Sequence, residues 1–143
     1  MARRDDCAAL MTLIRELADF ERASSEVAVS PGHFEQAGFG PEPVWWALVA
    51  EVNGLVVGFG LCYTRYSTWK GRLCYLEDLV VTERMRGKGI GRLLFEGIRE
   101  EARKRGYPRL CWQVLDWNLP AIRFYQKFDA RFDDGWTNGW VDI

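Results

Sequence analysis

Three groups of residues in this chain have the types and spacing that chemistry needs. The first is the basic, glycine-rich run from Arg84 to Arg92, where Gly87, Gly89 and Gly91 alternate with Lys88 and Ile90. Glycines let backbone N–H groups approach an anion closely, and the start of a helix leaves N–H donors unpaired in a favourable dipole. Arg84, Arg86, Lys88 and Arg92 add positive charge. The run suits a phosphate, and best a pyrophosphate. The bland alternative is a glycine-rich helix start with solvated basic residues. A Walker A loop is excluded, because Lys88 lies inside the glycines and no Ser or Thr follows it. A dinucleotide fingerprint is excluded by the Gly87-x-Gly89-x-Gly91 spacing.

The second group is Glu77-Asp78, set in the middle of the apolar run "CYLEDLVV". An ionised carboxylate in a buried strand is costly unless it is paired or used. Strand alternation puts Glu77 on one face with Tyr75 and Leu79, and Asp78 on the other. At most one of them then points into a given cleft. A strand-edge pair, or a bulge with exposed side chains, is the alternative. The third is Tyr125 in "NLPAIRFYQKF". By helical spacing alone it reads as an amphipathic core tyrosine, although a phenol also serves as a proton donor.

The elements that must position these groups follow from periodicity. Asp5 or Asp6 can cap a first helix whose apolar face is Leu10, Leu13, Ile14 and Leu17. Ser30-Pro31 opens a short second helix. Two apolar runs flank Asn53-Gly54, a strong hairpin signal. Arg72 to Thr82 reads as a third strand, and a helix follows from about Gly91 to Arg105, stopped by Gly106 and Pro108. Arg109 to Leu115 reads as a strand, "PAIRFYQKF" as a helix, and the tail as loop and short strands. The order predicts an α/β (α+β) domain on one mixed central sheet flanked by helices, with residues 1–143 as a single domain.

Composition narrows the class. The 143 residues are 48% hydrophobic and 27% charged with a net charge of -1, which fits a globular domain and argues against nucleic-acid binding. The N-terminus has no secretory h-region, and the longest apolar run, Val44 to Ala50, is too short for a membrane span. The single histidine, His33, argues against a histidine triad or multi-histidine metal site, so no metal is expected. Cys7, Cys62, Cys74 and Cys111 form no Cys-x-x-Cys pair and read as reduced, buried small hydrophobes in a cytoplasmic protein.

Arg86-x-x-Gly89-x-Gly91, after an apolar strand and opening a helix, resembles the acyl-CoA pyrophosphate loop of the GNAT N-acetyltransferase superfamily, and "NLPAIRFYQKF" resembles its later Asn-x-x-Ala-x-x-Phe-Tyr segment. "IRELADFE", "STWKGRLCYLED", "RGKGIG" and "LDWN" resemble the diamine acetyltransferases that act on spermidine, spermine or thialysine. The likeness implies a GNAT-like sheet and acetyl-CoA-dependent transfer to a primary amine in a ternary complex. By position, the backbone of Leu79, Val80 and Val81 would pair with pantetheine. The stretch Arg86, Gly87, Lys88, Gly89, Ile90, Gly91 and Arg92 would hold the pyrophosphate. Asn118, Pro120 and Ala121 would contact CoA further along. Tyr125 would protonate the departing thiolate. Glu77 would bind the amine and help deprotonate it through water. Glu21, Trp69, Asp78, Cys111, Trp112 and Gln113 would line the amine site. A non-catalytic acyl-CoA-binding module is the competing reading.

Three departures from that family stand out. The strand that usually precedes "DC" is short or missing. The chain stops soon after its last tryptophan. Asp129 stands where glycine is usual, at a turn that favours positive φ. Ser24 and Ser25 replace acidic residues of polyamine-specific relatives, which points toward a small amine or amino-acid side chain. A homodimer is expected, by resemblance and because short termini leave sheet edges to cover.

Overall fold

The computed structural model describes residues 1–133, 135 and 137–141, which fall into two compact units, 1–112 and 113–143. In the first unit, α1 (Cys7–Phe20) and α2 (Pro31–Phe39) precede a meander of β1 (Trp46–Val52), β2 (Leu55–Ser67) and β3 (Gly71–Val81). Then come α3 (Ile90–Lys104) and β4 (Leu110–Cys111). The sheet order is β1-β2-β3-β4. The first three strands pair antiparallel and β4 runs parallel to β3, so the sheet is mixed. The second unit contains α4 (Leu119–Gln126).

Local chemistry accounts for most boundaries. Asn53 and Gly54 take φ of 51° and 77° between β1 and β2, as their pairing predicts. Ser30 caps α2, its hydroxyl oxygen accepting the His33 N–H at 3.2 Å. Asp6 behaves differently from expectation: it precedes α1 but makes no side-chain cap. A short 3-10 turn at Arg4–Asp6 directs its carboxylate back to the Arg3 N–H at 2.7 Å.

Each face of the sheet is covered by helix. On one side Leu10, Met11 and Leu13 of α1 pack with Ala47, Phe59, Leu61 and Val80, and Phe34 stacks on Trp45 at 4.7 Å. On the other lie Leu94, Phe95, Ile98 and Ala102 of α3, all buried. Burying each large side chain contributes about 1.5–3 kcal/mol. Gly60 lets α3 approach: a Cβ there would lie 2.2 Å from the Ile98 Cδ1.

The strand before α1 is absent as expected, and two expected strands are shorter or missing among the described residues. Before α1 the chain joins the sheet by one bond, from the Ala2 N–H to the Ala47 carbonyl at 2.8 Å. The segment 109–115 forms only the two-residue β4, because its pairing with β3 stops at Cys74 and Tyr75. No strand forms after α4 among the described residues; Asp134, Trp136, Asp142 and Ile143 lie outside them. Asp129 adopts φ of 59°, in the left-handed region that Asp tolerates better than most residues. Cys7, Cys62 and Cys74 are buried free thiols, whereas Cys111 at the strand end is only half-buried. No helix among the described residues is long and apolar enough to cross a membrane.

Candidate active site

The loop between β3 and α3 is built from backbone. After Val81 a 3-10 turn, Glu83–Met85, leads to Gly87 and Gly89, with φ of 74° and 82°. A Cβ at either glycine would meet nothing within 4 Å. Glycine is needed here for left-handed backbone, not for room against the rest of the chain. Gly89 is the residue before α3, and the first bond beside the helix is Leu93 N–H to Gly89 C=O at 3.1 Å. The amides of Ile90, Gly91 and Arg92 therefore precede the helical ladder and form an anion-binding terminus.

The basic side chains divide their work. Arg86 is held inward: its Nε donates to the Val81 carbonyl at 2.9 Å, and its guanidinium lies 3.9 Å from Glu16 and 5.4 Å from the centre of the Phe20 ring. Glu16 also accepts the Glu83 N–H at 2.7 Å. Arg86 thus straps the loop to α1. Arg92 donates to Glu96 at 2.8 Å. Among the described residues, Arg84 and Lys88 have no carboxylate partner, and Lys88 rests against the Met85 sulfur at 3.4 Å. Beside the loop, Leu79, Val80 and Val81 pair with Gly60, Phe59 and Gly58 of β2. On the β4 side, pairing is confined to Cys74 and Tyr75, so this end of β3 has no strand opposite it among the described residues.

The carboxylates are arranged by a β-bulge. Leu61 pairs with Asp78 and Cys62 pairs with Leu76, which leaves Glu77 as the extra residue. Partners across a ladder share a face, so Asp78 follows Leu61 and Tyr75 follows Tyr63 onto the α1 side. Strict alternation had placed Asp78 opposite Tyr75; the bulge overturns that. Tyr63 and Tyr75 lie with ring centres 5.1 Å apart.

The electrostatics follow from this crowding. Asp78 is pushed up to about 7, first by burial and then by the negative charges of Glu77 and Glu21. Glu21, just after α1, is raised by burial. The Tyr63 phenol is raised by burial and then Glu77; the Tyr75 phenol is raised by burial, Tyr63 and Glu77. Arg65 opposes both shifts. Around neutrality Asp78 can therefore accept or return a proton beside two further carboxylates.

The remaining expected residues are more scattered. Cys111 is paired with Tyr75 at the margin of this cluster. Trp112, the next residue, meets Phe95 of α3 edge-on at 5.5 Å, so its ring lies on the other face of the sheet. Trp69 sits in the β2–β3 turn, 86% exposed. In the second unit, the Gln113 amide donates to Asn138 at 2.7 Å, and the Asn118 oxygen caps α4 by accepting the Ala121 N–H at 3.2 Å. Pro120 occupies the first turn of α4, and Tyr125 is its buried residue, edge-on to Phe124 at 5.2 Å. Tyr63, Tyr75 and Arg65 were not anticipated as site residues. Their types read as strand core and surface, and only the bulge groups them with Asp78. No group of three His, Cys, Asp or Glu able to hold a metal occurs among the described residues.

The sequence pattern of the acetyltransferase (GNAT) family matches residues 9–130. The chain is 41% identical to a thialysine N-epsilon-acetyltransferase of Mus musculus, over 99% of this chain and 88% of that one. It is 35% identical to the Caenorhabditis elegans protein of the same name, over 92% and 83%. Its fold superposes on an aminoglycoside acetyltransferase from an uncultured soil metagenomic sample, with a TM-score of 0.80 at 17% identity, over 99% and 93% of the two chains. The glycine-built helix start, the open strand end beside it and the clustered carboxylates thus sit in a chain that belongs to the acetyltransferase (GNAT) family, an acetyl-CoA-dependent acyltransferase.

Proposed function

We propose that the acceptor is the side-chain amine of a lysine-like amino acid, of the thialysine type, rather than a polyamine. The observation that carries this is Asp78 on the α1 face, with Glu77 and Glu21 near enough for their charges to raise it. Three carboxylates suit one ammonium group and its neighbours. The next residues along, Ser24 and Ser25, bring no further negative charge, and Ser24 bonds to Asp19 at 2.5 Å. The 41% identity to a thialysine acetyltransferase supports the same acceptor.

In this reading, bound acetyl-CoA supplies an activated acetyl thioester. The amides from Gly87 to Arg92 hold its pyrophosphate, and the open edge at Leu79, Val80 and Val81 aligns its pantetheine arm. Asn118, Pro120 and Ala121 contact it further along. Arg86 serves by strapping the loop rather than by direct contact with phosphate. Glu77 and Asp78 orient the ammonium group and take its proton, directly or through water. The amine nitrogen then forms the new C–N bond as the C–S bond breaks, and Tyr125 gives its proton to the departing sulfur. The family match runs through both compact units, which supports one functional domain over residues 1–143.

Two further parts of the proposal concern its setting. A homodimer would cover β1, which pairs with β2 alone apart from the single Ala2 bond. Sedimentation as a monomer at micromolar concentration would contradict it. The buried free thiols support a reducing cytoplasmic compartment. The acceptor itself is tested by thiol release from acetyl-CoA with putrescine, spermidine, lysine and thialysine. The amino acids are expected to give the highest kcat/KM. Preference for spermidine would refute the acceptor class, and no release with any amine would favour a non-catalytic CoA-binding module.

A further inference from the structure

The acceptor cluster is not uniformly acidic. Beyond Tyr63 on β2, the next residue on the same face is Arg65, and its guanidinium lies 5.6 Å from the centre of the Tyr75 ring. The side chain is exposed and, among the described residues, forms no ion pair. Lys70 in the β2–β3 turn and Arg109 just before β4 also have no carboxylate partner. All three are close enough to act on one group: burial raises the Cys111 thiol, while Arg109, Arg65 and Lys70 oppose the rise.

The α1 face therefore carries a charge gradient along two strands. Asp78 and its carboxylate neighbours lie at one end, opposite Leu61; Arg65 stands four residues further along β2. Four residues of strand span roughly 13 Å. An arginine folded back over Tyr75 shortens that span to the length of a lysine-sized molecule. The paired tyrosine rings form an apolar floor between the two ends. Such a surface matches a zwitterion with an amine at one end and a carboxylate at the other. It disfavours a diamine, whose second ammonium would face three unpaired cations.

We propose that Arg65 is the specificity-determining residue for the acceptor, receiving the α-carboxylate of an amino acid whose side-chain amine is held at Asp78. This rests on the acetyl-acceptor reading above and adds the residue that separates amino acids from diamines.

The test compares lysine with cadaverine, and thialysine with its decarboxylated diamine, using wild type, Arg65→Gln and Arg65→Lys. The readouts are thiol release and acetyl-CoA binding by calorimetry. For Arg65→Gln, the expected result is a fall of roughly tenfold or more in kcat/KM for the amino acids, mainly through KM. Diamine kcat/KM should rise, Arg65→Lys should restore part of the amino-acid preference, and acetyl-CoA affinity should stay within twofold of wild type, in keeping with a contact confined to the acceptor. Equal losses on amino acids and diamines, or no change on either, would overturn the assignment of Arg65. If the wild type acetylates neither class while still binding acetyl-CoA, the acceptor reading itself fails, and this proposal with it.

Discussion

The two ends of the proposed site are made of different material. The anion end is backbone: Gly87 and Gly89 in left-handed conformation and the first amides of α3. Its specificity lies in conformation, so almost any substitution that changes φ there damages it. The proposed acceptor end is side chain: Glu77, Asp78, Tyr63, Tyr75 and Arg65, aligned by a single extra residue in β3, with Glu21 at the end of α1. Its specificity lies in charge. A protein built this way can keep its co-substrate and change its acceptor by altering a few side chains on β2 and β3.

Gly89→Asp should be the most damaging, abolishing acetyl-CoA binding by calorimetry. It places a charged residue at φ of 82° and a carboxylate at an anion site. The backbone strain alone costs about 1–2 kcal/mol. Undiminished binding would show that the loop does not hold the pyrophosphate.

Asp78→Asn comes next. Acetyl-CoA binding should survive, while amine turnover falls about a hundredfold, the scale of a lost proton acceptor. Equal loss of acetyl-CoA affinity would mean that the two ends are not separable. Tyr125→Phe should lower turnover by about tenfold with binding retained, through loss of the proton donor. Unchanged turnover would remove Tyr125 from that role.

The smallest effect is expected for Arg86→Gln, which cuts the strap to Val81 and Glu16 but leaves the cradle glycines intact. Acetyl-CoA affinity should fall only about threefold, in line with the modest energies of exposed ion pairs. A loss as large as that of Gly89→Asp would make Arg86 a direct phosphate ligand.

The same contrast explains what could be read from sequence. The loop was legible because its determinants are contiguous: glycine spacing, basic residues, and a strand followed by a helix. The Asn53-Gly54 hairpin and the Ser30 cap were legible for the same reason. The acceptor end was only half legible. Glu77-Asp78 stood out as carboxylates in an apolar run, but alternation assigned them to opposite faces. The bulge that stood as the alternative reading is what forms: Leu61 and Cys62 pair two residues apart on β3, and that slip turns Asp78 toward Tyr75. The setting of Trp112 was not legible either, since nothing in the strand pattern shows that its ring meets Phe95 on the α3 side. The truncated β4 reflects tertiary pairing that ends at Tyr75, which local strand propensity does not reveal.

The central claim, that Asp78 is the titrating centre of the acceptor site, carries its own pH signature. Its folded pKa, about 7, lies above the ordinary carboxylate value of 3.8. The folded state therefore holds the proton more tightly, so the contribution of Asp78 to stability is fully present below that ordinary value and is lost as pH rises through about 7. Activity moves the opposite way, because the carboxylate must be free to take a proton from the amine. The decisive measurement is kcat/KM for thiol release against pH, in wild type and Asp78→Asn, with acetyl-CoA saturating. The wild type should show a rising limb with its inflection near 7, and the variant should lose that inflection along with most of its activity. The same inflection in both proteins would contradict the assignment of Asp78.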